Sequence, residues 1–218
     1  MNEPTATALI ESFSRVDVAF PLGGERVPDE HGYGLFGAMC GVLSEMHGAP
    51  WLSVHPIRGA PLGGGMLGLA QPNRALRLRV HPAQLERVQS LTGATLSVEG
   101  HRVTVGAAEV FTLRPTSMLV ARMVVVRDDV ERAEFEQCLH ERLAAMGVRA
   151  TVEIPWGPTT GAHPDGQRVL HIRGQIIVGY PVILRGLSDE HSIRVQSLGI
   201  GGRQRFGCGV FAEAWSDH

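Results

Sequence analysis

The chain reads as an α+β protein of two tandem ferredoxin-like (RRM-like) units. Two observations predict this. The order strand, helix, strands, helix, strand runs through the sequence twice. A proline-bearing stretch, Leu113 to Thr116, separates the two runs. It divides the chain into an N-terminal domain over 1–113 and a C-terminal domain over 117–218. With 218 residues, 44% of them hydrophobic, there is enough apolar side chain for two cores. No apolar run reaches the roughly 18 residues that span a bilayer, so no membrane partner is expected.

In the first unit, Val16 to Phe20 is a β-branched, apolar run and reads as a strand. Gly23-Gly24 and Pro28-Asp29 mark a loop. Over 30–46, Leu35, Phe36, Met39, Leu43 and Met46 recur at helical spacing, and His47-Gly48 follows as a stop. Trp51 to Ile57 is a short extended run. Leu76 to Val80 alternates with arginine, as a half-buried strand does. Residues 82–92 look helical, and two strands flank the turn at Glu99-Gly100. In the second unit, Met118 to Val126 is a strand. Residues 129–146 form an amphipathic helix closed by Gly147, and Thr151 to Pro155 is a strand. A Gly/Pro-rich turn covers 156–167. Val169 to Leu184 is a strand pair or one bent strand, broken at Gly179-Tyr180-Pro181. A helix over 188–198, a glycine loop and a last strand, Val210 to Trp215, end the order.

Charge narrows the function. The net charge is −2, which argues against unspecific nucleic-acid coating. All 20 cationic side chains are arginine, and they cluster: residues 57–89 carry five against one acid, and residues 166–207 six against two. Guanidinium forks suit phosphate, although a GC-rich genome also replaces lysine with arginine. Cys40, Cys138 and Cys208 fit neither a disulfide framework nor a zinc spacing. The N-terminus lacks the pattern of a secretory signal. A reducing cytoplasm is the expected location.

Residues 199–209, GIGGRQRFGCG, hold five glycines and two arginines. A dinucleotide fingerprint would follow a strand and open a helix, whereas this segment follows a helix and precedes a strand. A P-loop needs a lysine. A flexible hairpin needs neither so many glycines nor the arginines. A loop lying against a polynucleotide backbone fits: glycines let backbone N–H groups approach phosphates, and Arg203 and Arg205 add charge.

Gly199-Ile200-Gly201, four residues, then Phe206-Gly207-Cys208-Gly209-Val210 resembles the C-terminal glycine-rich signature of the RAMP superfamily of CRISPR-associated proteins. The segment HGYGLFGAMCGVLSEMHGAPWLSVHPIRG, at 31–59, resembles the first helix and following strand of the endoribonucleases that process precursor CRISPR RNA, in their Myxan-subtype branch. The resemblance covers about 16–215. It implies CRISPR repeat RNA as substrate and product, no metal and no cofactor. It also implies attack of a ribose 2′-hydroxyl on the adjacent phosphate, giving a 2′,3′-cyclic phosphate and a 5′-hydroxyl. That chemistry needs two proton transfers and stabilisation of a phosphorane.

The resemblance puts a catalytic histidine at the end of the first helix, where His47 stands. A histidine there also serves as a helix C-cap. Tyr33 matches a tyrosine at the start of that helix and would orient or deprotonate the 2′-hydroxyl, unless it only packs. His31 is the rival to His47. Some members carry a lysine near the position of Ser53; here none exists, and Arg58 or Arg203 stands in for it. For RNA contact the glycine loop offers Gly199, Gly201, Gly202, Arg203, Arg205 and Gly207. The pairs Arg77/Arg79 and His171/Arg173 each alternate along a strand and are expected to share a face. His55 is expected to face solvent. Trp156 and Tyr180 could stack on bases or pack in the core. A non-catalytic RNA-binding RAMP subunit remains the alternative, and other CRISPR effector subunits are candidate partners. A two-histidine phosphoesterase would need hydroxyl residues that the His101 and His171 segments lack.

Overall fold

A computed structural model describes residues 15–69, 74–127, 131–156 and 166–213. The expected turn at 156–167, the ends of the last strand and the start of the 129–146 helix fall partly outside them. In the first half, β1 (Val16–Gly23) leads through a short strand β2 (Arg26–Pro28) to helix α1 (Gly32–Val42). β3 (Ser53–Val54), the hairpin β4 (Ala60–Gly63) and β5 (Met66–Gly68), and β6 (Ala75–Val80) follow. A 3₁₀ turn runs into the short helix α2 (Leu85–Gln89), then β7 (Thr95–Val98), β8 (His101–Val105) and β9 (Glu109–Thr112). The second half has β10 (Met118–Val124), α3 (Arg132–Ala145), β11 (Thr151–Glu153), β12 (Arg168–Ile172), β13 (Gln175–Arg185), α4 (Asp189–Leu198) and β14 (Ala212–Glu213).

Sheet order makes the repeat explicit. In the first half β3, β6, β1 and β9 lie side by side, antiparallel throughout; in the second, β11, β13, β10 and β14 do. In both halves the first strand is central, with the strand before the second helix on one side and the last strand on the other. This is the ferredoxin-like arrangement. β8 pairs with the far end of β1 and with β7. The packing matches the sequence periods. Leu76, Leu78 and Val80 of β6 and Leu35, Phe36 and Met39 of α1 are buried in the first core, and Phe135, Leu139 and Leu143 of α3 in the second. The first core continues into the other half through Met123, Val125, Leu170 and Phe206. Among the described residues no helix is long and apolar enough to cross a membrane, and the three cysteines are free.

Four expectations change. The first helix stops at Val42, because Leu43 leaves helical geometry (φ −131°, ψ 84°), and a 3₁₀ turn over Ser44–Met46 follows. The 82–92 helix shrinks to a 3₁₀ turn and α2. β2, β4 and β5 form a separate three-stranded sheet, which the sequence does not announce because it is built from Gly- and Pro-rich segments. β13 runs unbroken through Gly179-Tyr180-Pro181. Its register on β10 shifts between Ala121 and Val124, and proline is tolerated at such an irregularity.

Candidate active site

The turn after α1 is held from below. Met46 and Ala49 are buried, and the backbone closes with His47 N–H donating to Ser44 O (3.0 Å) and Ala49 N–H to Met46 O (3.1 Å). Gly48 takes a left-handed φ of +76°. Between these anchors His47 is exposed. Leu43, not His47, is the C-cap of α1; His47 stands four residues further on and closes the 3₁₀ turn over Ser44–Met46.

The residues after His47 line an open cleft of about 430 Å³ together with the glycine loop. Its walls are Ala49, Pro50 and Leu52 on one side and Leu198, Arg203, Gln204 and Arg205 on the other, with Arg15 as a third cation. Arg15 donates to Trp51 O (2.6 Å), which fixes it at the cleft. Gln204 joins the walls: its Oε1 accepts from Ser53 Oγ (2.7 Å), and its Nε2 donates to Leu198 O (2.8 Å). Ser53 is therefore a tie between β3 and the loop. Arg205 lies over the rings of Phe206 (5.0 Å) and Phe36 (5.7 Å), which fixes its guanidinium. Sequence reasoning missed Arg15 and Gln204: nothing marks a lone arginine before β1 or a glutamine between two arginines.

The loop's glycines serve packing more than approach to an anion. At Gly201 (φ +84°) a Cβ would stand 2.2 Å from Val125 O, and at Gly209 (φ +67°) 2.1 Å from Ile200 O. Gly202 and Gly209 donate to Val125 O (3.0 Å) and Met123 O (2.7 Å). Gly199 and Gly207, both with positive φ, meet Gln204 and Pro56. Gly202 alone of the five is exposed with open space around its Cα.

The remaining candidates divide. His31 is 1% exposed. Its Nδ1 lies 2.8 Å from Pro28 O, and Ile57 N–H donates to its Nε2 (2.8 Å). A carbonyl only accepts and an amide only donates, so the tautomer is Nδ1–H and both nitrogens are committed. Burial, helped by Arg122, pushes its pKa down to about 4. Tyr33 lies edge-on to Phe206 (5.7 Å) and accepts from Arg173 Nε (3.2 Å). A helix advances about 1.5 Å per residue, so Tyr33 is about 13 Å along the axis from Val42, where the His47 end begins. His171 meets Glu30 (2.8 Å) at the Tyr33 end. Arg173 is not on the strand with it: it occupies the β12–β13 turn at φ +48°. Arg58 is exposed after Ile57, outside the cleft lining.

Arg79 is a correction, and with it His55. Arg79 is 1% exposed. It makes a bidentate pair with Asp17 (Nε to Oδ1 2.8 Å, Nη2 to Oδ2 3.0 Å) and donates through Nη1 to Gln196 O (2.8 Å) and Phe211 O (2.6 Å). The second half covers it, so it is closed to RNA. Arg77 is half-buried, 3.8 Å from Asp17 and over the Phe111 ring. His55 is buried with Nε2 3.3 Å from Asp17. Burial alone would raise the Asp17 carboxyl, but His55 and Arg79 reverse this and hold it well below the usual range. Burial lowers His55 to about 4 against the pull of Asp17, so its ring is neutral at pH 7. Tyr180 is buried. Trp156 is 72% exposed beneath the Arg132 guanidinium (3.8 Å).

The family model described as Cas6 Crispr matches residues 16–215. The chain is 34% identical over 196 residues to the CRISPR-associated endonuclease Cas6 of Myxococcus xanthus (strain DK1622), spanning 90% of this chain and 80% of that one. Among solved structures it resembles a CRISPR-associated protein Cas6 (TM-score 0.61, 11% identity, 93% of this chain and 99% of the other). It also resembles the product of a Cas6-related gene from Pyrococcus furiosus (TM-score 0.61, 11% identity, 91% and 98%). A third match is a RAMP protein described as binding different RNA substrates (TM-score 0.58, 12% identity, 91% and 98%).

Proposed function

The chain belongs to the Cas6 family of CRISPR-associated endonucleases, and on that premise we propose that it cuts CRISPR repeat RNA without a metal ion. The observation that carries this reading is the cleft that Arg15, Arg203 and Arg205 line together with Ala49 and Pro50, directly after the exposed His47.

In the proposed step the ribose 2′-oxygen attacks the adjacent phosphorus and loses its proton. The bond from phosphorus to the 5′-oxygen breaks, and that oxygen gains a proton. A 2′,3′-cyclic phosphate and a 5′-hydroxyl result. His47 carries one of the two proton transfers, for which its solvent-exposed imidazole, with one ring nitrogen to accept and one to donate, is suited. The arginines hold the phosphate and its added charge in the transition state. Their fixed forks fill the role for which a lysine is absent. His31, with both nitrogens bonded, takes no part. Tyr33, Arg173 and His171 extend the RNA path at the other end of α1.

The test is cleavage of the cognate repeat RNA in excess EDTA, with His47→Ala and a 2′-deoxy substitution at the cut site as controls. Cutting by the wild type that is lost in both controls, with binding intact in His47→Ala, is the expected result. Tight binding without cutting by the wild type would return the chain to a non-catalytic RNA-binding subunit.

A further inference from the structure

We infer that Arg79 is a positioning residue for the reaction, a clamp whose single guanidinium grips both stems of the glycine loop and so sets that loop against the His47 turn. This rests on the reading of the cleft just given.

The argument is one of connectivity. The glycine loop leaves α4 after Gln196 and returns towards β14 past Phe211. Arg79 Nη1 donates one proton to each of those two carbonyls, at 2.8 and 2.6 Å. The loop is closed at its base by a residue of the other half. The same residue holds the opposite wall. In the ladder between β3 and β6, Arg79 is the direct partner of Ser53, four residues after Ala49 on the strand that leads away from His47. Ser53 then reaches across to Gln204 in the loop. On its other side Arg79 is paired in register with Asp17 of β1, and that carboxylate takes Nε and Nη2. His55 Nε2 meets the same carboxylate. Four of the five guanidinium N–H groups are thus assigned, two to hold the residue and two to hold the loop.

Lysine could not do this. Its three donors radiate from one point and cannot serve a carboxylate and two separate carbonyls in a plane. The placement matters because a shift of about 1 Å at a reacting group costs on the order of 100-fold in rate, whereas binding spread over a groove is less sensitive.

Arg79→Lys keeps the charge beside Asp17 and tests the clamp. Single-turnover cleavage at saturating protein should fall at least about 30-fold, while Kd for the repeat RNA changes less than about 5-fold. A readout that needs no RNA accompanies it. Amide exchange at Ile200, Gly202 and Gly209 should quicken at least about 10-fold relative to amides of the β10–β13 ladder in the same sample. Loop and ladder amides quickening by one common factor, or neither changing, would overturn the clamp. So would a rate and an affinity that fall together in proportion to lost folded protein. If the wild type binds the repeat and never cuts, the reading of the cleft fails, and the exchange comparison still decides the clamp.

Discussion

Two Arg-x-Arg pairs lie in this chain, Arg77/Arg79 on β6 and Arg203/Arg205 in the glycine loop, and the fold spends them in opposite ways. The first pair points from a sheet face that the second half covers, so Arg79 becomes an internal fastener and Arg77 a half-buried neighbour of Asp17. The second pair lines an open cleft. What separates them is what is packed on top. An alternating strand tells which residues share a face; it does not tell whether water, RNA or another part of the chain meets that face.

The contrast is sharpest in stability. Arg79→Met leaves the buried Asp17 with His55 and the more distant Arg77 in place of a bidentate partner, takes the guanidinium from two interior carbonyls, and should cost about 3–5 kcal/mol in urea unfolding, while Arg205→Met should change stability by less than about 0.5 kcal/mol. Equal effects would dissolve the distinction. The same division between buried and exposed separates His31 from His47. His31 is held neutral, with its folded pKa near 4 below an ordinary value of 6.5. The unfolded chain therefore binds the extra proton first. The stability due to this group is full above about pH 6.5 and is lost as pH falls through 4, a drop of about 3 kcal/mol. Urea midpoints taken from pH 7 to pH 4 should fall steeply for the wild type and less for His31→Gln. Gly201 and Gly202 repeat the pattern on a smaller scale. Gly201→Ala drives a Cβ into Val125 O at a left-handed φ and should cost about 1–3 kcal/mol, whereas Gly202→Ala meets open space and should be close to neutral. The last contrast falls on RNA binding rather than stability, at the surface pair itself. Arg203→Ala and Arg205→Ala should each weaken RNA binding about 5- to 10-fold and lower the slope of log affinity against log salt by about 0.7–0.9. An unchanged slope in a salt titration would remove that arginine from the phosphate path.

The repeated strand and helix order was legible because periods of two and 3.6 residues survive in the core residues of β6, α1 and α3. The small sheet of β2, β4 and β5 was not, since Gly63, Gly64 and Gly65 break the pattern while forming its turn. At the site, the arginines of the glycine loop could be read directly, whereas His47 was singled out by the family resemblance, on a helix expected to run to 46 that in fact ends at Val42. The commitments of His31, His55 and Arg79 could not, because each depends on a partner brought in by tertiary packing: Ile57, Asp17 and Phe211. Arg15 was hidden for the same reason, as its place at the cleft is set by Trp51 O.

Arg79 also imposes an order on synthesis. Its two carbonyl partners lie 117 and 132 residues downstream. At ribosomal rates of about 5–20 residues per second, the guanidinium emerges roughly 7–26 s before the second of them. Through that interval the nascent first half can form its Asp17 pair but must leave two donors to water. Only the arrival of α4 and of the segment before β14 dries them, so the cleft closes last.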